Sequence, residues 1–216
     1  MAIDGLNRGQ PGGQRIVLAT ANHGKLREFQ CLLGQDWVLV PQSELGIAAA
    51  EETGASFAEN ALIKARHAST AANLPAIADD SGLEVDALDG APGIRSARYA
   101  EDRGLADATT NNAKLLAELA HVPPGERSAR FRAVIVYVDS ARDSRPIIAE
   151  GVWEGRIAEC PAGENGFGYD PLFIDGESGL TAGELGPDEK NLRSHRARAV
   201  QALRAVLGAP TADQDR

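Results

Sequence analysis

Two adjacent carboxylates, Asp79 and Asp80, follow a short apolar run that begins at Ala76. Carboxylates can hold a divalent cation or accept a proton from water. Ser81 and Gly82 come next and predict a turn, which would place the pair at the end of a strand, where open α/β sheets bind ligands. Side chains alternate along a strand, so at most one of the two should face a given pocket. The alternative interpretation is a plain turn without a site.

A second polar group lies near the N-terminus. Residues 15–20 are apolar and β-branched and predict a buried strand, and a helix is predicted from about 25 to 33. A strand, a polar turn and a helix start in this order present free backbone N–H groups to an anion. Thr20, Asn22 and Lys25 add a hydroxyl, an amide and an ammonium. Alternatively, Asn22 only caps the helix and Lys25 is a surface lysine.

A third group surrounds the start of a second helix, which the capping box Ser56-x-x-Glu59 places at residue 57. Lys64 belongs to a polar stripe on this helix, beside the apolar stripe, and so could border a cleft. Glu52 enters from the same end. A cleft bordered by Lys64 and a solvated helix face therefore both remain open as interpretations.

The C-terminal half holds an unusual aromatic and a basic cluster. Phe167 has a glycine on each side, which gives it room to lie flat against a planar ligand; a bulge is the alternative. Ser194 is predicted to cap the last helix, which places His195 and Arg196 in its first turn. Cations are disfavoured there by the helix dipole, so we expect a ligand that is anionic or carries a carbonyl group.

The elements between these groups predict one α/β domain over residues 15–207, with a disordered tail at 1–14 and a short tail at 208–216. Further strands are predicted at 83–88, 129–138 and 147–157, the last interrupted at two glycines, and a helix is predicted at 106–120. Arg95 and Arg98 lie beside Tyr99, which is compatible with phosphate binding or with an interface; the composition favours an interface or a layer behind the site.

The bulk properties limit the class of protein. With 216 residues, 43% hydrophobic, the chain is long enough for a large core. A net charge of -9 argues against binding of a nucleic-acid polymer. No apolar run could span a membrane, residues 1–14 do not form a signal peptide, and two unpaired cysteines favour the cytoplasm.

Together the groups predict a nucleotide site. Lys25 and Lys64 would hold phosphates, and Glu52 and Asp80 would hold Mg²⁺, which accepts a few carboxylates together with water and phosphate. Phe167 would stack on a base, and Lys190, His195 and Arg196 would donate hydrogen bonds to it. The chain has neither a P-loop nor a dinucleotide-binding fingerprint.

Six stretches resemble, in order, the inosine triphosphate pyrophosphatase family, and they extend over about residues 15–207. They are 18–25, 51–65, 79–83, 90–99, 166–171 and 194–196. The resemblance implies an elongated α/β fold with a mixed sheet and two lobes around a central cleft. It further implies a homodimer and Mg²⁺-dependent hydrolysis of dITP, ITP and XTP to the monophosphate and pyrophosphate, which would keep these bases out of DNA and RNA.

By motif position, the resemblance implies that Asp80 is the general base and that Glu52 and Asp80, with Glu51 as a less certain third, bind the metal. The implied substrate contacts are Thr20, Ala21, Asn22, His23, Gly24, Lys25, Lys64, Ser81, Phe167, Gly168, Tyr169, Asp170, Lys190, His195 and Arg196. The chain departs from the family where Ala21 replaces a frequent glycine and where Glu164-Asn165 replaces a usual Thr-Gly; the tails have no counterpart.

Two other functions fit the same groups. One is a related pyrophosphatase with another base specificity, as in the Maf-like proteins. The other is a nucleotide-binding sensor that does not turn over its ligand. A panel of nucleoside triphosphates would separate the three functions.

Overall fold

The computed structural model describes residues 13–33, 37–104 and 106–208. The chain forms a six-stranded mixed sheet with helices on both faces, which confirms the predicted α/β class. The strands are β1 (Gln14–Leu18), β2 (Trp37–Pro41), β3 (Ala76–Val85), β4 (Ser128–Val138), β5 (Ile147–Ile157) and β6 (Phe173–Asp175). The helices are α1 (His23–Leu33), α2 (Phe57–Ala72), α3 (Ala108–Glu118), α4 (Pro187–Arg193) and α5 (His195–Leu207).

The sheet order is β2-β1-β3-β4-β5-β6. β1 runs parallel to β2 and β3, and the pairs from β3 to β6 are antiparallel. α1 and α5 pack on one face, where Ile77 and Ile135 are buried, and α2 packs on the other, against Ala78 and Val136. Because side chains alternate, consecutive residues of β3 belong to different cores.

A third apolar cluster extends the core beyond these two. It joins the second half of β3 and the first half of β4 to α3 and to the loop before β6. The side chains that make this connection are all buried: Leu83, Phe131, Leu115 and Tyr169. This cluster places aromatic side chains at the end of the sheet where the site lies.

The structure corrects the prediction that Ser81 and Gly82 turn the chain. β3 is one continuous strand, paired with β4 from Ala76↔Val138 to Val85↔Ala129, so the separate strand predicted at 83–88 does not exist. Local turn propensity is outweighed here by ten paired positions. The two aspartates therefore lie within a strand and not at its end.

Other boundaries shift by a few residues. β5 is continuous through Gly151 and Gly155, where we predicted interruptions. Gln14, assigned to the tail, already belongs to β1, and the rest of the predicted disorder at 1–12 and the tail from 209 lie outside the described residues. None of the described helices is both long and apolar enough to cross a membrane.

Candidate active site

Asp79 is enclosed on the face of β3 that carries α1 and α5. Its Oδ2 lies 2.7 Å from Lys25 Nζ and 3.2 Å from Arg196 Nη2, and it accepts a hydrogen bond from Ser81 Oγ at 3.0 Å. Burial alone would raise the pKa of Asp79, but Arg196 and Lys25 outweigh it and hold that pKa well below its usual range. Asp79 is thus a charged anchor for two cations through Oδ2, while its Oδ1 is buried without a hydrogen-bond partner among the described residues.

Asp80 faces the opposite side, toward α2. Its Oδ1 accepts a hydrogen bond from Lys64 Nζ at 2.6 Å, and the same ammonium lies 3.0 Å from Glu52 Oε1. Asp80 Oδ2 is buried and has no hydrogen-bond partner among the described residues. Burial raises the pKa of Asp80, and Lys64 offsets only part of that effect. This carboxylate therefore has both an open acceptor and an increased affinity for protons.

Along the side of β3 that faces β1, the strand pairing has a gap, and this gap allows side chains of both faces to contact one ligand. β1 pairs with β3 only at Ala76 and Ile77. The following edge is covered again at Leu83, whose N–H donates to Ser96 Oγ at 2.9 Å. Asp79, Asp80 and Ser81 lie between these points, so a ligand there can contact the side chains of both faces. The two aspartates face opposite sides of β3, as the alternation of side chains predicted.

The loop between β1 and α1 is built around Asn22. Its Oδ1 accepts hydrogen bonds from the N–H groups of Gly24 at 2.8 Å and Lys25 at 3.1 Å, which confirms that Asn22 caps the helix. Lys25 is not a surface lysine, since its side chain is 15% exposed and bound to Asp79. Burial lowers the pKa of Lys25 despite the attraction of Asp79.

Phe167 lies against this loop. A Cβ on Gly24 would come within 2.5 Å of the Phe167 ring, so a side chain at position 24 would displace the aromatic. Gly166 and Gly168 both have positive φ, 79° and 62°, which favours glycine at each position. The backbone N–H of Phe167 donates to Asp170 Oδ2 at 2.7 Å and fixes the loop. The glycines around Phe167 thus serve its placement.

Sequence reasoning missed Glu28, which completes the basic cluster. Lys190 Nζ lies 2.6 Å from Asp170 Oδ2 and 2.9 Å from Glu28 Oε1, and Arg196 Nη1 bonds the other oxygen of Glu28. Burial would raise the pKa of Glu28, but Arg196 and Lys190 reverse the shift and lower it. The available signal was its position one helical turn after Lys25, on the same side of α1.

His195 and Arg196 each retain one buried polar atom without a hydrogen-bond partner among the described residues, Nδ1 and Nε. The His195 ring is stacked on Phe131, with centroids 4.8 Å apart and an angle of 15°. Burial, followed by the charge of Arg196, lowers the pKa of His195 well below its usual value and keeps the imidazole neutral. Since buried polar groups are normally paired, these two atoms point to a ligand with complementary groups.

A cavity of about 340 Å³ lies between these elements. Ten of the predicted substrate contacts line it: Asn22, Lys25, Ser81, Phe167, Gly168, Tyr169, Asp170, Lys190, His195 and Arg196. Tyr169 is held through its hydroxyl, which donates to Ser96 O at 2.8 Å. Aromatic walls beside placed polar groups suit a ligand that has a planar face and hydrogen-bonding groups.

The remaining predicted residues lie outside the cavity wall. Thr20 and Ala21 lie in the adjoining loop, and His23 and Gly24 lie in the first turn of α1; Ala21 and His23 are exposed. Lys64, Glu52 and Asp80 form a cluster on the other side of the gap in β3. Glu51 is exposed, whereas Glu52 belongs to the Lys64 cluster, so the geometry favours Glu52 as the metal carboxylate.

The comparisons with known proteins agree with one another. The profile of the Ham1 family matches residues 16–206. The dITP/XTP pyrophosphatase of Thioalkalivibrio sulfidiphilus is 56% identical over 190 residues, 88% of this chain and 96% of the relative. That of Methylococcus capsulatus is 54% identical, covering 92% and 98%. The structure of a HAM1 protein from Coxiella burnetii superposes with a TM-score of 0.83 at 46% identity, covering 91% of this chain and all of that one.

Proposed function

This chain belongs to the Ham1 family, and we infer that it is a nucleoside triphosphate pyrophosphatase that hydrolyses non-standard purine nucleotides, dITP, ITP and XTP, to the monophosphate and pyrophosphate. Such an activity removes these bases before they enter DNA and RNA. The single observation that carries the purine assignment is the pair of unpartnered buried atoms, His195 Nδ1 and Arg196 Nε, on residues that line the cavity.

These atoms give a physical basis for choosing the base. Arg196 Nε can only donate a hydrogen bond, so it fits a carbonyl oxygen such as the 6-keto group of hypoxanthine or xanthine. Adenine carries an amino group there, which would set a donor against a donor. A site that leaves buried polar groups unpaired with the wrong base can discriminate strongly. Phe167 supplies the face on which the purine would stack.

For the phosphates we propose the loop before α1 with Lys25, together with Lys64. The N–H groups at a helix start attract anions, and Lys25 stands beside them. Lys25 and Ser81 line the cavity, and Asp80, the neighbour of Ser81 in β3, bonds Lys64 on the other side of the gap. The base would thus lie on one face of the strand and the triphosphate would cross its edge.

Mg²⁺ fits the carboxylates that face α2. Asp80 Oδ2 is a buried acceptor without a partner among the described residues, and Glu52 shares Lys64 with the same aspartate. The described part of the chain contains no group of three metal-ligating side chains, so water and phosphate would complete the coordination, as Mg²⁺ commonly allows. When bound, the ion would neutralise phosphate charge.

Asp80 is our candidate general base. Oδ2 can accept the proton of a water whose oxygen attacks the α-phosphorus. The bond between the α-phosphorus and the oxygen that bridges it to the β-phosphorus then breaks, and this oxygen leaves with pyrophosphate. The raised pKa of Asp80 favours proton acceptance. Lys64 holds Oδ1 and so fixes the direction of the free oxygen.

We further propose a cytoplasmic homodimer; two exposed free cysteines, Cys31 and Cys160, fit a reducing compartment.

The test is a panel of ITP, XTP, dATP and dGTP with Mg²⁺ and direct detection of pyrophosphate. We expect turnover of ITP and XTP, with pyrophosphate as the first product. Orthophosphate as the first product would contradict the inference, and a preference for pyrimidine or ordinary triphosphates would favour a Maf-like specificity. Sedimentation analysis would test the dimer separately.

A further inference from the structure

Arg98 reaches the carboxylate cluster from a separate wall of the site. It is the last residue of the 3₁₀ helix Gly93–Arg98, and its Nη2 lies 3.1 Å from Glu52 Oε2. The same helix contributes Ser96 to the cavity. Arg98 thus stands beside the proposed metal carboxylate, a position that the mechanism above does not use.

The contacts form a chain with a direction. Asp80 bonds Lys64, Lys64 bonds Glu52 through Oε1, and Glu52 bonds Arg98 through Oε2. Asp80 would activate water at the α-phosphorus, and the phosphates beyond it could extend toward the opposite end of this chain of contacts. Arg98 is at that end.

The ion pair between Arg98 and Glu52 is suited to exchange. The Arg98 side chain is 46% exposed, and an exposed ion pair contributes little to stability. Mg²⁺ bound by Glu52 would compete for the same carboxylate oxygens and weaken this pair. A guanidinium freed there would meet phosphate oxygens, to which it can donate two parallel hydrogen bonds.

We propose that Arg98 is a further substrate-binding residue, which leaves Glu52 when Mg²⁺ and the triphosphate bind and then contacts the β- and γ-phosphates, the part that departs as pyrophosphate. The proposal rests on the proposed function, because it assigns one more contact within that same site. The half-exposed position of Arg98 suits a group that the product passes on its way to solvent.

The test compares Arg98→Gln and Arg98→Lys with wild type and with Arg132→Gln. The control variant removes an arginine of similar exposure (38%) that bonds Glu150 at 2.8 Å on the sheet surface. Binding of inorganic pyrophosphate with Mg²⁺ and binding of inosine monophosphate are measured by calorimetry. Binding of Mn²⁺ alone is followed by electron paramagnetic resonance.

We expect Arg98→Gln to weaken pyrophosphate binding about tenfold and to leave monophosphate and Mn²⁺ binding within about twofold, as one lost charge-assisted contact would. Arg98→Lys should recover part of the loss, and Arg132→Gln should match wild type. Unchanged pyrophosphate binding in Arg98→Gln would overturn the proposal. An equal loss of Mn²⁺ binding would also overturn it, since Arg98 would then act by orienting Glu52. Failure of the proposed function would be seen separately, as wild-type protein that releases no pyrophosphate from ITP.

Discussion

The two faces of β3 treat two neighbouring aspartates in opposite ways. On the face that carries α1 and α5, Asp79 is bound to Lys25, Arg196 and Ser81, and its pKa is held well below the usual range. On the face that carries α2, Asp80 is bound to one cation, Lys64, among the described residues, and burial raises its pKa. Identical side chains one residue apart thus have environments suited to different tasks.

The difference separates binding from chemistry. The cavity that we propose for the base lies on the face of Asp79. The cations that line it are already neutralised by Asp79, Glu28 and Asp170. Both aspartates keep one buried oxygen without a partner among the described residues, but Asp80 has the raised pKa and shares Lys64 with Glu52, so water and a metal could be held on its face. Substitutions on the first face should therefore change stability and substrate affinity, and those on the second should change turnover.

Asp80→Asn should have the largest effect. An amide cannot accept the proton from water as a carboxylate does, and general bases contribute about 10²- to 10⁴-fold to rates. We expect kcat for ITP to fall about 10³-fold, measured as pyrophosphate release, with the binding of ITP retained by calorimetry. Turnover close to wild type would show that Asp80 is not the base. An unchanged thermal midpoint is the accompanying control.

Asp79→Asn should instead destabilise the fold. It leaves the buried cations Lys25 and Arg196 without their shared anion, and breaking a buried ion pair costs about 3 kcal/mol or more. We expect the free energy of unfolding in urea to fall by about that amount. Asp86→Asn, which removes an exposed partner of Arg130, is the control and should change little. If Asp79→Asn lowered activity and left the free energy of unfolding unchanged, the contrast between the two faces would be wrong.

The sequence predicted much of this site but not the contrast within it. The helix starts capped by Ser56 and Ser194 follow from local rules and are found in the structure. The turn at Ser81-Gly82 was wrong because strand pairing is decided by residues some fifty positions away, on β4.

Glu28 was missed for a related reason. Its partner Arg196 lies 168 residues further along the chain, and no local pattern signals that pairing. Likewise, the gap in the edge of β3 depends on where β1 stops pairing and where the chain returns at Ser96. Features set by distant segments require the tertiary structure, whereas helix caps leave local signatures.

Gly24→Ala sharpens the comparison on the binding face. The added methyl group would lie within 2.5 Å of the Phe167 ring and push it from its place. Overpacking of this kind costs about 1 to 3 kcal/mol, so we expect KM for ITP to rise about tenfold while kcat changes little. Gly125→Ala, at a position with open space around it, is the matched control. A fall in kcat with unchanged KM would assign this loop to the chemical step.

Glu28→Gln should give the smallest effect, and one that depends on pH. In this variant Lys190 still has Asp170 as its ion-pair partner, and Arg196 still has Asp79. We therefore expect a loss of about 1 kcal/mol in unfolding free energy at pH 7. The pKa of Glu28 is lower in the folded protein than its ordinary value of 4.5, so its contribution is present above that pH and is lost as the pH falls through the folded pKa. The difference in thermal midpoint between wild type and variant should therefore be constant above pH 5 and become smaller below about 4.5.

Glu159→Gln, an exposed loop position, is the control and should show no such gap at any pH. A gap that persists unchanged into acid would mean that Glu28 stabilises the cluster by packing and not by charge.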